Sequence, residues 1–430
     1  MLCTAASSRR HDVFSITVLV AVLLAASRAG SAFGAGAEDM ADVPHVRNAD
    51  VPRDGSMDFR LEELWRVGGE DGDVLFGMVS QVREDADGNI YVMDAQLSEV
   101  HVFSPDGEHL RTLFGEGDGP GEIRGPRDLV LLDDGRVGLV QEMPGKLVFV
   151  DRLGDPAGQL RIGGEGTSHG GFCQTFSAFT DGEQLLVAGF LQRPGVDPGT
   201  MVQTSFLSGF GPDGTRRVDF ATRENTISMA DFVFEEAKLL APFWWNAAVG
   251  PDGLVYVAPD LERYRLEVSA PDGRLVRVIE RDYEPWRRSE ADKAWFVEMV
   301  RAIYSGTPFE IGVEPMETEP AVVYLHRGLR VRPDGSIWVL STRGIRSPEA
   351  GAMVTFDVFD PDGVYVRRVN VHGPWNGRTD TVLLVDDDHA VVVTGFKDAM
   401  IAQFTNGNMT VDLEGEAGSV EVIFCRVRRN

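Results

Sequence analysis

The chain has 430 residues, with 67 Asp and Glu against 41 Lys and Arg, a formal net charge of −26. So acidic a surface repels nucleic-acid backbones and anionic lipid heads, which excludes both as expected partners. A hydrophobic content of 43% excludes wholesale disorder, and 48 Gly with 22 Pro argue for many turns and few long helices.

Residues 1–37 read as a signal peptide. Arg9 and Arg10 form a basic start, Val13–Ala26 is an apolar run, and Ala35-Gly36-Ala37 is an A-x-A cleavage pattern. The run is short for a membrane span, so cleavage is favoured over an uncleaved anchor. Cleavage would leave 38 basic and 66 acidic residues, net −28, and an exported, periplasmic or extracellular, monomeric chain without a membrane span. Residues 38–57 read as a flexible lead-in, and 58–430 as one folded unit.

The first strand-like segment, LEELWRVGGEDG (61–72), resembles LRTLFGEGDG (110–119) further on. Next come GNIYVMD (88–94) and EVHVFS (99–104), rich in β-branched and aromatic residues and bounded by Asp-Gly turns. From there two series of turns alternate along the chain. One ends at 88, 135, 182, 253, 335 and 388. The other centres on Pro105-Asp106-Gly107, Asp155–Gly158, Pro212-Asp213-Gly214, Pro271-Asp272-Gly273 and Pro361-Asp362-Gly363. Each unit therefore reads as four strands. First-series intervals of 47, 47, 71, 82 and 53 residues match a propeller blade with insertions. The excess residues fall at 192–204, 223–243, 283–324 and 343–352. Within the third, SEADKAWFVEMVRAIYSG (289–306) has a capping-box start and apolar residues at i+4 spacing, which predicts a helix. It either packs on the rim or lids the channel.

Unit six has no second-series turn and needs an outer strand. Segment 61–72 is the candidate, closing the ring and hiding its open edge. The expected fold is thus all-β: a six-bladed β-propeller closed by an N-terminal outer strand, with a short helical insertion between blades four and five.

Segment 87–126, with DGNIYVMD, VHVFSPDG and GEGDGPGE, resembles the NHL repeat, closely in this unit and loosely elsewhere. NHL-like six-bladed propellers include exported binding proteins and, less often, enzymes with a metal in the channel. The resemblance therefore implies fold more than function.

All four insertions fall on loops expected to share one face, where the inner strands begin. Residues placed at that channel mouth are Gln81, Arg127, Trp244, Trp245, Asn246, His326, Arg327 and Arg378. Arg127 and Arg327 could hold a carboxylate or phosphate, and the Trp pair could stack on a sugar or aromatic group. A wet, polar mouth without a ligand explains the same residues. Asp128, Asn246 and Asp380 could converge on calcium or another divalent ion. Zinc is poorly supported, since His326 is the only His of the mouth set.

Cys173 and Cys425 belong to units on opposite sides of the ring, beyond the roughly 7 Å reach of a disulfide. The favoured function is therefore an exported, non-catalytic binding or scaffolding propeller that needs no cofactor. Its ligand would be a protein, peptide or carbohydrate at the insertion-face mouth. The alternative is a metal-dependent lactonase, esterase or lyase.

Overall fold

Each Asp-Gly turn reverses the chain through a local hydrogen-bond set. In 104–108, the Gly107 amide donates to the Ser104 carbonyl and the Glu108 amide to the Ser104 hydroxyl. Gly107 has φ +87°, and Gly88, Gly135, Gly214, Gly253, Gly273, Gly335 and Gly363 share this left-handed region, where a β-carbon is disfavoured. The turn aspartates fix the exit, as when Asp252 and Asp334 accept from the amides two residues on.

These turns build the fold seen in a computed structural model. It describes residues 43–429 apart from 71, 163–170, 181–184, 308–310, 324–326, 406, 408 and 410–418. The first-series turn at 182 and His326 lie outside the described residues.

Antiparallel strands form a propeller-like succession of sheets. The first is Val79–Glu84, Ile90–Asp94, Glu99–Phe103 and His109–Leu113; the second is Pro126–Leu131, Val137–Gln141, Lys146–Val150 and Pro156–Arg161. Longer strands make the third: Phe172–Thr180, Leu185–Pro194, Thr200–Phe210 and Arg216–Ser228. The fourth is Ala247–Val249, Val255–Val257, Arg265–Ser269 and Leu275–Arg281, extended by His45–Asn48. The rest is one eight-stranded sheet rather than two separate ones. One half is Leu329–Val331, Ile337–Leu340, Val354–Phe359 and Tyr365–His372. The other is Thr381–Leu384, His389–Val393, Glu421–Arg429 and the N-terminal strand Ser56–Gly68.

The fusion has a simple cause. Ser56–Gly68 is 13 residues long. Its start pairs in parallel with 368–372, while 59–68 pair antiparallel with 421–429. Nor does the preceding segment behave as the flexible lead-in expected there. Residues 45–48 pair in parallel with 278–281, and the Arg53 and Asp54 amides donate to the Tyr365 and Val366 carbonyls. The N-terminal chain thus laces three successive sheet edges. Beneath it, the buried Arg281 bridges Asp50 and Asp357 and lies over the Tyr264 and Tyr365 rings.

Among the described residues, apolar clusters join the sheets in a closed cycle. First meets second around Leu113 and Leu129, second meets third around Phe149 and Phe206, and third meets fourth around Phe190 and Trp244. The fourth joins the eight-stranded sheet through Tyr256 and Phe359. The two halves of that sheet pack through Trp338 and Ile423, and the last half returns to the first sheet through Phe424 and Val92.

The insertions also differ from expectation. Arg223–Ser228 continues the outer strand of the third sheet instead of looping out. Past it, Val233–Glu235 pairs in parallel with Gly312–Glu314, uniting the two large insertions. The helix Glu290–Ile303 forms with the predicted capping box between Ser289 and Asp292. Its Phe296 and Val300 pack with Ile227, Phe234, Leu239 and Ile311 in a small separate core. The buried Glu236 clamps this layer, accepting from both Arg288 terminal nitrogens, at 2.5 and 2.8 Å, and from the Met316 amide at 2.8 Å.

Cys173 and Cys425 are free and buried, and burial pushes both thiols up to about 12.

Candidate functional site: the central channel

Each inner strand runs from the insertion face toward a first-series turn, so its two ends report the two faces of the channel. At the insertion-face end the predicted residues are mostly occupied. Arg127 pairs with Glu142 and lies over the Phe404 ring, 5.0 Å from its centroid. The half-buried Tyr304, from the end of the insertion helix, has its phenol pushed up to about 12 by desolvation and by Glu142. Gln81 lies half-buried opposite Met93 in the first sheet. Arg378 is exposed, its amide donating to the Asn376 side chain at 3.0 Å.

The tryptophans are not a free stacking platform. Trp244 is 3% exposed and packs against Phe176 and Phe190, while Trp245 lies half-buried against Phe176 and Trp244. Large aromatic side chains gain more by completing the third-to-fourth sheet core than by facing water.

Asp128, Asn246 and Asp380 each have partners of their own. Asp128 is 1% exposed; it accepts from the Leu129 and Ala178 amides, both at 2.9 Å, and from the Arg83 and Arg327 guanidiniums. Asp380 accepts from the Asn376 amide at 2.9 Å and the Gly395 amide at 3.0 Å, holding its own turn. Asn246 is fully buried, with its side-chain amide directed at the Val322 carbonyl.

Asp128 and Arg327 instead form a bar across the channel. Arg327 departs from the eight-stranded sheet with φ +51° and reaches Asp128 of the second sheet. Its terminal nitrogen also donates to the Ala178 carbonyl of the third at 3.0 Å, and the guanidinium lies 4.6 Å from the Phe179 ring centroid.

Beyond this bar, toward the turn face, lies a cavity of about 410 Å3. Six inner strands line it through their later residues, including Val82–Glu84, 129–131, 178–180, 247–249, 329–331 and Leu384. It extends to the turn residues Pro333 and Asp386, both exposed, so it meets solvent on the face opposite the insertions. Of the predicted mouth residues that are described, only Arg327 lines it.

Sequence reasoning missed the charges that line this cavity: Arg83, Arg330 and Arg332, with Glu84, Asp386 and Asp387. Arg83 and Arg330 each stand five residues before a first-series turn glycine. That shared offset was the available signal. Burial and Arg327 push the Arg83 guanidinium well down, against the pull of Asp128. Burial and Arg327 likewise lower Arg330 to about 10.

At the turn-face rim, Arg332 pairs with Asp387. Glu84, Asp386 and His389 place ligand atoms within 4.8 Å of one another. His389 Nδ1 and Asp386 are 2.9 Å apart, and burial with the neighbouring Asp386 raises the Glu84 carboxyl. His389 and Asp386 partner each other within their turn, while one Glu84 oxygen is buried without a hydrogen-bond partner among the described residues.

No family model matches the chain, and no curated protein does either. The NHL resemblance therefore rests on the residues quoted above. Solved structures do align. One is a putative exported protein from Bacteroides fragilis, with 11% identity, a TM-score of 0.46, and coverage of 90% of this chain and 99% of that one. Another is a calcium-binding protein, regucalcin, from Agrobacterium tumefaciens, with 13% identity, a TM-score of 0.41, and coverage of 86% and 96%. A third is a catalytically inactive virginiamycin B lyase from Staphylococcus aureus, with 8% identity, a TM-score of 0.38, and coverage of 79% and 83%. Among the described residues no helix is long and apolar enough to cross a membrane.

Proposed function

We propose that this chain is an exported six-bladed β-propeller that binds a small ligand without transforming it, in its central channel and from the turn face. The six-blade reading takes each half of the eight-stranded sheet as a blade, fused by the long strand Ser56–Gly68. Six inner strands around one cavity and the closed cycle of apolar clusters support it. Export rests on the signal-like segment 1–37.

The observation that carries the function is the cavity of about 410 Å3 with guanidiniums in its wall. It falls in the size range of small-molecule sites. Guanidiniums hold charge and donate hydrogen bonds but do not exchange protons near neutral pH, so they suit binding better than acid–base chemistry. The insertion layer then acts as a cap that seals the far end.

The test is a melting-temperature screen against carboxylates, phosphates, sugars, peptides and metal ions, since a ligand of the native state raises apparent stability. Ala248→Phe, which fills the cavity wall, is expected to abolish the shift, and Arg127→Ala on the opposite face to leave it. The reverse pattern places the ligand at the insertion face and overturns the reading.

A further inference from the structure

Guanidiniums crowd the wall of the channel beside the Asp128–Arg327 bar. Arg83, Arg327 and Arg330 converge on it, and Asp128 is the one carboxylate they share. That carboxylate already accepts from two backbone amides. Arg327 spends its terminal nitrogen on Asp128 and the Ala178 carbonyl, yet its Nε–H is buried with no partner among the described residues. Arg83 and Arg330 each donate one terminal nitrogen to a backbone carbonyl, of Val82 and Leu384.

Buried N–H groups of a cation are costly unless an acceptor meets them, and like charges held together in low dielectric repel. Burial and mutual repulsion hold both Arg83 and Arg330 below the usual guanidinium range. At the rim Asp387 pairs with Arg332 and Asp386 with His389, and Glu84 lines the cavity beside them. Deeper in, around the bar, three guanidiniums meet the single carboxylate of Asp128.

We infer that the ligand of this channel is a small oxyanion, a carboxylate or a phosphate ester, held by Arg83, Arg330 and the Nε–H of Arg327. This inference rests on the binding reading above and names its ligand class. Planar guanidiniums converging on one cavity suit carboxylate and phosphate oxygens alike. Asp128 acts as a fixed counter-ion that positions Arg83 and Arg327, while Arg330, held through one nitrogen by the Leu384 carbonyl, turns its other N–H groups to the ligand.

The experiment titrates the full chain with succinate and, separately, with inorganic phosphate, at ionic strength matched by sodium chloride, by calorimetry and melting temperature. The expected result is saturable binding of at least one. Arg330→Gln and Arg83→Gln, each checked for a native circular-dichroism spectrum, should weaken it by about tenfold or more. Arg193→Gln, an exposed pair on the third sheet, should change nothing. The stronger arm separates carboxylate from phosphate as the source. Silence of both anions against the chloride control, or unchanged binding in both channel variants, overturns the inference. If a neutral ligand then binds and Ala248→Phe abolishes it, the channel reading survives and only the anion class falls. If Ala248→Phe leaves all binding intact, the channel reading falls as well.

Discussion

The two ends of the channel were built from different kinds of sequence. The insertion face holds nearly all the chain's irregular segments, and they are spent on one another. Phe234 meets Phe296 in a private core, Glu236 is clamped by Arg288, and Arg127 is tied to Glu142. The turn face is made of short, repetitive Asp-Gly hairpins, yet the cavity meets solvent there. Extra sequence on one face of a propeller is therefore no guide to which end of the channel stays open. A long insertion must bury its own apolar residues, and doing so closes the face that carries it.

The harshest way to break this contrast is to remove the bar between the two ends. Arg327→Met should destabilise the protein by about 3–5 kcal/mol in denaturant unfolding, because it strips a partner from a fully buried carboxylate. A loss under about 1 kcal/mol would show that Arg83 and the Leu129 and Ala178 amides satisfy Asp128 without it.

Phe296→Ala should come close, at about 3–5 kcal/mol, but confined to the insertion layer. Limited proteolysis should nick the 283–324 region while ligand binding at the turn face stays intact. If binding disappears with it, the two ends are coupled and the contrast fails.

A smaller effect comes from Lys397, whose ammonium is lowered to about 8 by burial and by Arg346 and Arg378. Its folded pKa lies below the ordinary value, so the unfolded chain holds the proton more tightly. The stability it contributes is present above about pH 10.5 and is lost as pH falls through 8. Lys397→Met should therefore stabilise the protein at pH 7, with the difference from wild type shrinking toward pH 10. A difference flat with pH would mean the amine is not desolvated.

The mildest test concerns the thiols. Cys173 and Cys425 should react with a thiol reagent only after denaturant is added, because burial holds both protonated. Reaction of Cys173 in the native state would show that the second-to-third sheet packing opens.

What could be read from the sequence was what is local. The Asp-Gly turns work through hydrogen bonds spanning a few residues, and the Ser289–Asp292 cap spans three. The closing strand was legible because 61–72 repeats the outer-strand pattern of 110–119. The site was not legible in this way. Arg327 and Asp128 stand 199 residues apart, and nothing in either neighbourhood marks them as partners. The Trp244 ring could not be distinguished from a ligand platform either, because burial between two sheets is set by packing that no single strand encodes. The polar residues sought at the strand starts were real, but the cavity lies further along the same strands, where the sequence pattern looks apolar.

The lacing of the N-terminal chain also sets an order of events during folding. The strand Ser56–Gly68 is synthesised long before its partner Glu421–Arg429, and Glu62 meets Arg428 across 366 positions. Its pairing with 368–372 waits almost as long. Until then this segment is an unpaired edge strand, exposed to mispairing and in need of protection. Contacts of such separation are closed late and slowly. A chain lacking Glu421–Arg429 should hence fail as a whole, with Ser56–Gly68 left unclaimed.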